Sequence, residues 1–204
     1  HQHYDHIRDV PAIAMNLAFL SSTINVYSIL AVYDALLTHL LNGKLYPNFL
    51  EFPEGNPVVT FIRLFPLMRQ QIEGYSILPV PVNHPDPAVG YQVTSPDGKT
   101  VFYTGDTGPG LFDCWEKVSP QLLVIEATLP NRYEEFAAPG GHLTPSLLRD
   151  ELVSFRDIKG YLPQVVVVHM SPSLEKEIET EIAAVAEALN NPITMAYEGM
   201  QLQL

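Results

Sequence analysis

The first six residues, His1-Gln2-His3-Tyr4-Asp5-His6, place three imidazoles and a carboxylate in one short stretch. Imidazole nitrogens and carboxylate oxygens are the donors that borderline divalent metals favour. In extended backbone His1 and His3 point to the same side and can share one ion. Asp5 and His6 lie where the chain turns towards a helix and can aim at a second. With this histidine usage the pattern arises by chance on the order of once in a few thousand such chains. A purification-tag remnant would lack the aspartate and the helical pattern behind it. Further donors each follow a short β-prone run: His84, Asp106 in Thr104-Gly105-Asp106-Thr107, and His169. Loops at strand ends are where rigid scaffolds place chemistry. Two ions ~3.5–4 Å apart need a bridging ligand, and the two oxygens of Asp106 make it the candidate. The chemistry expected of such a centre is two-metal hydrolysis.

These donors need elements to hold them. Residues 11–22 read as a helix with Ile13, Leu17 and Leu20 on one side. Residues 24–27 are β-prone. Ser28 is placed to cap a second helix that runs to about 41 and stops at Asn42-Gly43. Residues 44–57 read as a loop and 58–64 as a strand. Residues 75–82 form a strand that Pro79 and Pro81 should confine to an edge. Residues 91–94 and 100–103 form a hairpin around Ser95-Pro96-Asp97-Gly98-Lys99. Buried strands are expected at 122–125 and 165–168. A helix over 145–155 should be capped by Thr144, with Pro145 at its first position. A second, over 173–189, has Leu174, Ile178, Ile182, Val185 and Leu189 on one face. Strands at 193–196 and 200–204 would close a layered α+β or α/β domain. A ligand loop needs a rigid element before it, so strands preceding His1 are expected but absent from this numbering.

Composition narrows the partners. The 204 residues are 47% hydrophobic and 17% charged, enough to bury one core. Lys and Arg number 11 against 23 Asp and Glu, a net charge of −12, which disfavours bulk nucleic acid. A small anion can still bind where metal ions neutralise it. No apolar run reaches the ~20 residues that span a bilayer, so no membrane partner is expected. No signal peptide is visible, and the single cysteine, Cys114, suits a reducing, cytoplasmic setting. Beside Trp115 it reads as a buried apolar residue. His39 reads as an ordinary surface histidine. Phe49, Phe52, Phe61 and Phe65 are expected mostly in core packing, with a pocket cover or a homodimer contact as alternatives.

The donors, taken in order, resemble the metallo-β-lactamase superfamily: His1-x-His3-x-Asp5-His6, His84, Gly105-Asp106-Thr107 and His169. Glu126-Ala127-Thr128 and Gly141-His142-Leu143-Thr144-Pro145 resemble ribonuclease Z and the class II cyclic-nucleotide phosphodiesterases. The second group fits better. His39 and Asn42 followed by Tyr46-Pro47-Asn48-Phe49 resemble its His-x-x-Asn…Trp-Pro-Asn segment. Val80-Pro81-Val82-Asn83-His84 with Gly90-Tyr91, and His142-Leu143-Thr144-Pro145 with Glu151-Leu152, resemble its later motifs. Tyr4, Arg8-Asp9-Val10, Tyr46 and His169-Met170-Ser171-Pro172 depart from them.

The resemblance implies a four-layer αββα sandwich, one domain over residues 1–204. It implies a dinuclear site in which His1, His3, His84 and Asp106 hold one ion, and Asp5, His6, Asp106 and His169 the other. Zn²⁺ is the first choice, with Mn²⁺ or Fe as alternatives. The implied reaction is hydrolysis of a small 3′,5′-cyclic nucleotide to the 5′-monophosphate by a metal-bridged hydroxide. Asp5, His142 and Glu126 are the catalytic candidates, with His142 as proton donor to the leaving 3′ oxygen and Glu126 orienting it. Without the resemblance, His142 could equally hold the loop before Thr144. The alternatives are tRNA 3′ processing, lactone or thioester hydrolysis, and a catalytically silent binding module. Few basic residues count against tRNA, and a complete ligand set counts against a silent module.

Overall fold

A computed structural model describes all residues from His1 to Leu204. The chain divides into two compact units, His1–Phe65 and Pro66–Leu204.

The first unit opens with a single-turn helix, α1 (Tyr4–Ile7), followed by α2 (Asp9–Phe19). Pro11 and Ala14 are buried on α2, with Val10, Met15, Leu17 and Ala18 packed beside the core. Of the expected apolar face Leu17 packs against the core, but Ile13 is exposed and Leu20, at 72% exposure, lies past the helix end. Strand β1 (Ile24–Ser28) pairs in parallel with β2 (Val59–Arg63). Ser28 is the last residue of β1 and not the N-cap of the next helix. Ile29 precedes α3 (Leu30–Ala35), which continues as a π-helical turn over Leu36–Leu40. Phe49 is in the core and Phe61 is half-buried, but Phe52 and Phe65 are exposed, so core packing holds for no more than half of the four phenylalanines. Phe61 packs its ring 5.1 Å from Tyr33, and Arg63 covers Phe65.

The second unit is built on a seven-stranded sheet in sequence order: β3 (Gln70–Ile72), β4 (Tyr75–Pro81), β5 (Val89–Thr94), β6 (Thr100–Tyr103), β7 (Leu122–Glu126), β8 (Gln164–Val168) and β9 (Ile193–Met195). The first four strands alternate in direction, and β6 to β9 are parallel. Helices α4 (Phe112–Lys117), α5 (Glu134–Ala137), α6 (Pro145–Lys159) and α7 (Glu175–Leu189) lie in the connections between the parallel strands. Three of the four consecutive valines of β8, Val165 to Val167, are buried, as strands of parallel sheets tend to be.

Three expectations need correcting. Strand β4 is not an edge strand, since β3 pairs with Tyr75–Ile77 and forms the edge. Pro79 and Pro81 fit because they lie past that short pairing, where β4 has only β5 as a ladder partner. Residues 200–204 form no strand. Helix α7 begins at Glu175 and not at Ser173, and Glu175 and Glu177 in its first turn offset the helix dipole. Thr144 does cap α6, accepting from the Leu147 N–H at 3.4 Å, and Gly160 closes the helix in left-handed geometry.

The core of this unit gathers Phe102, Trp115 and Phe155 in edge-to-face contacts at 6.2 and 5.4 Å. Leu123, Ile125, Val165, Val167 and the apolar faces of α6 and α7 surround them. No helix is long and apolar enough to cross a membrane.

Candidate functional site

Strand direction gathers the chemistry. Because β4 and β6 flank the antiparallel β5, they run the same way, and β7 and β8 are parallel to β6. Their C-terminal ends therefore share one edge of the sheet. His84 follows β4, Asp106 follows β6, Glu126 ends β7 and His169 follows β8.

The donors converge there. Ligand atoms of His84, Asp106 and His142 lie within 4.8 Å of one another, as do those of Glu126, His142 and His169. His169 Nε2 is 3.5 Å from Asp106 Oδ1. Two ligands of one tetrahedral ion with bonds of ~2.0–2.1 Å would stand about 3.4 Å apart, so the pair fits a shared metal. Asp106 is almost wholly buried and His169 partly so, as a carboxylate–imidazole site requires.

Hydrogen bonds around the donors fix their orientation. Glu126, fully buried, accepts from the Thr107 N–H at 2.8 Å, the Leu143 N–H at 3.0 Å and the Thr128 hydroxyl at 2.6 Å. His142 Nδ1 stands 2.9 Å from its Oε1. The Thr128 oxygen is 2.8 Å from His169 Nδ1. With the Thr128 hydroxyl donating to Glu126, that oxygen accepts from His169 Nδ1–H, which leaves Nε2 as the lone-pair nitrogen facing Asp106. His169 itself has φ +58, a left-handed conformation that few non-glycine residues adopt, where β8 gives way to the loop. Its loop is tied to β7 through Ala127 N–H to the Val168 carbonyl and Ser171 N–H to the Thr128 carbonyl. The His142 and His169 rings stack at 5.7 Å, and His84 meets His142 edge-on at 6.0 Å.

The loops themselves are latched together. Asn83 N–H donates to the Thr107 hydroxyl at 3.2 Å, and its carbonyl accepts the Gly108 N–H at 2.6 Å. Its side-chain amide also donates to the Pro109 carbonyl. Glu151, reaching over from α6, accepts from the Gly110 N–H at 2.6 Å, the Leu111 N–H at 3.2 Å and Trp115 Nε1–H at 2.9 Å. Cys114 is buried as expected. Burial pushes its thiol up to about 12, with the nearby Glu151 charge adding to the shift.

In the first unit, His1 packs its ring 4.4 Å from that of His3 and 4.3 Å from that of His6. His6 Nε2 is 3.4 Å from Asp5 Oδ2, and both residues sit in α1. The sequence motif therefore forms one local cluster. His39 is exposed on the π-helical turn.

Sequence reasoning gave no role to Asn83, Thr128 or Glu151. Glu151 carried a signal: it shares the helical stripe of Leu148, Leu152 and Phe155, where a carboxylate must find buried donors.

A family model described as a beta-lactamase superfamily domain matches residues 1–170. No curated protein matches the chain. Among solved structures, unliganded yeast PDE1 is similar at TM-score 0.84 and 19% identity over 98% of this chain. The chain spans 65% of the length of that yeast protein. YhfI of Bacillus subtilis, a metallo-beta-lactamase fold protein, matches at TM-score 0.73 and 16% identity, over 98% of this chain and 73% of its own. The short form of human tRNase Z matches at TM-score 0.65 and 18% identity, over 98% of this chain and 75% of its own.

Proposed function

From the premise that the chain belongs to the metallo-β-lactamase superfamily and has its fold, we propose that it is a dinuclear metal-dependent phosphodiesterase acting on a small 3′,5′-cyclic nucleotide. The observation that carries this reading is the Glu126–His142 pair standing beside His84, Asp106 and His169. Metal donors alone would serve many hydrolases. A carboxylate-held imidazole next to them adds a proton donor that a poor alkoxide leaving group needs.

The proposed ligands are His1, His3, His84 and Asp106 for one ion, and Asp5, His6, Asp106 and His169 for the other. The proposal treats residues 1–204 as one functional domain, with Zn²⁺ as the first choice of metal. Bound, the ions would supply positive charge for the phosphate oxygens and bring a water's pKa to ~7. The protein's own groups do the rest. Thr128 holds His169 in the tautomer that presents Nε2. Glu126 accepts from His142 Nδ1–H and holds the ring in place, and a proton on Nε2 passes to the 3′ oxygen as the P–O bond breaks. The net charge of −12 and 11 basic residues suit a small phosphodiester better than a polynucleotide. A cytoplasmic setting suits the buried, reduced Cys114, and a homodimer stays part of the proposal.

Hydrolysis of cyclic AMP, cyclic GMP, a generic phosphodiester, a lactone and a pre-tRNA by the metal-loaded protein tests the substrate class. Cyclic nucleotides should be turned over fastest, and activity on the lactone alone would sink the proposal. Fewer than about two metal equivalents per chain would remove the two-metal scheme. His142→Ala should lower turnover by roughly 10²–10⁴-fold with metal content unchanged. Loss of metal in that variant would make His142 a ligand instead.

A further inference from the structure

We propose that Glu151 is a positioning residue: it braces the Asp106 loop against the His142 segment, and this brace sets the metal affinity of the site. The inference rests on the metal reading above.

Glu151 is only 7% exposed, yet it serves no packing purpose that a leucine would not serve better. Its carboxylate is committed to the loop that follows Asp106. One oxygen takes the Gly110 N–H at 2.6 Å, and the other takes the Leu111 N–H at 3.2 Å and Trp115 Nε1–H at 2.9 Å. Glu126 grips the other end of the same loop at the Thr107 N–H. Two buried carboxylates thus hold the 107–111 segment at both ends.

Both carboxylates also reach the His142 segment. Glu126 accepts the Leu143 N–H at 3.0 Å, and Glu151 sits on α6, which starts three residues after His142. Between the two grips the segments touch directly, because a Cβ on Gly108 would lie 3.2 Å from Gly141 Cα. The Asp106 loop and the His142 segment can therefore separate only by breaking bonds to Glu126 or Glu151. Linkage adds a reciprocal requirement: if the brace favours metal binding, metal binding must strengthen the brace by the same factor.

Glu151→Gln keeps the shape but turns an NH₂ towards groups that are all donors. Zn²⁺ affinity of this variant is read by competition with a chromophoric chelator. Exchange of the Gly110 and Leu111 amides is measured in the wild-type protein with and without Zn²⁺. The variant should bind Zn²⁺ about tenfold or more weakly, and Zn²⁺ should slow exchange at Gly110 and Leu111 more than at Ile178 and Ile182 in α7. Unchanged Zn²⁺ affinity in a variant with a lowered melting temperature would show a merely structural residue and overturn the brace. Equal slowing at all four amides would overturn it too, and this measurement decides the matter if the variant does not fold. A wild-type chain that binds no Zn²⁺ would overturn the metal reading and the brace together. Normal wild-type binding with an unaffected variant defeats the brace alone.

Discussion

Glu126 shows how one buried side chain can hold two loops and an imidazole together. It is fully buried, and its two oxygens accept from two backbone N–H groups, a hydroxyl and an imidazole. A buried anion is tolerated only when its acceptor capacity is filled in this way. The same bonds fix the tautomers of His142 and, through Thr128, of His169. Glu126→Gln must aim an NH₂ at one of those donors and leave it opposed. The variant is expected to lose about 2–4 kcal/mol of stability, the usual range for a broken buried polar network. Turnover should fall further than stability explains, because His142 loses the carboxylate that orients its ring. Denaturant unfolding alongside turnover under fully folded conditions checks this. A variant as stable and as active as wild type would mean that the carboxylate charge is dispensable.

At the scale of elements, the site depends on how closely three loops approach one another. Gly141 has φ +77, and a Cβ there would lie 2.3 Å from Pro85 Cδ and 3.0 Å from His84 Cδ2. Gly141→Ala therefore combines an unfavourable backbone region with a clash against the loop that carries His84. A cost of about 1–3 kcal/mol is expected, together with weaker metal binding because His84 is displaced. Melting temperature and chelator competition read the two effects separately, and a neutral substitution would refute the close approach. None of this was visible in sequence, although much else was. Continuous apolar runs located the strands at 122–125 and 165–168, and turn chemistry located the 91–103 hairpin, because those signals are local. The edge position of β3, the end of α2 and the missing strand at 200–204 depend on what packs alongside, which composition does not report. At the site, His84, Asp106 and His169 stood out by residue type and spacing. Asn83 and Glu151 bond to a hydroxyl and to backbone N–H and C=O groups 24 to 41 residues away, and no spacing rule marks such partners.

The molecule as a whole carries a net charge of −12, so rising pH works against the compact state through self-repulsion. One buried group adds a separable contribution. Cys114, 4% exposed, has its thiol pushed from 9.0 up to about 12 by burial and then by the Glu151 charge. The neutral thiol is the form the fold accepts. A folded pKa above the unfolded one stabilises the protein fully below pH 9 and loses that contribution as pH rises towards 12. Within that window each pH unit should cost up to about 1.4 kcal/mol. Cys114→Ala removes the titration while leaving every other alkaline group in place, so Tyr161, also raised by burial, cancels in the comparison. Wild-type stability should therefore fall relative to Cys114→Ala between pH 9 and pH 11, with a constant difference below pH 8. Urea unfolding of both proteins across that range measures it. Parallel curves up to pH 11 would mean that the thiolate is accommodated without penalty, and the Trp115–Glu151 side of the core would then be wetter than its packing indicates.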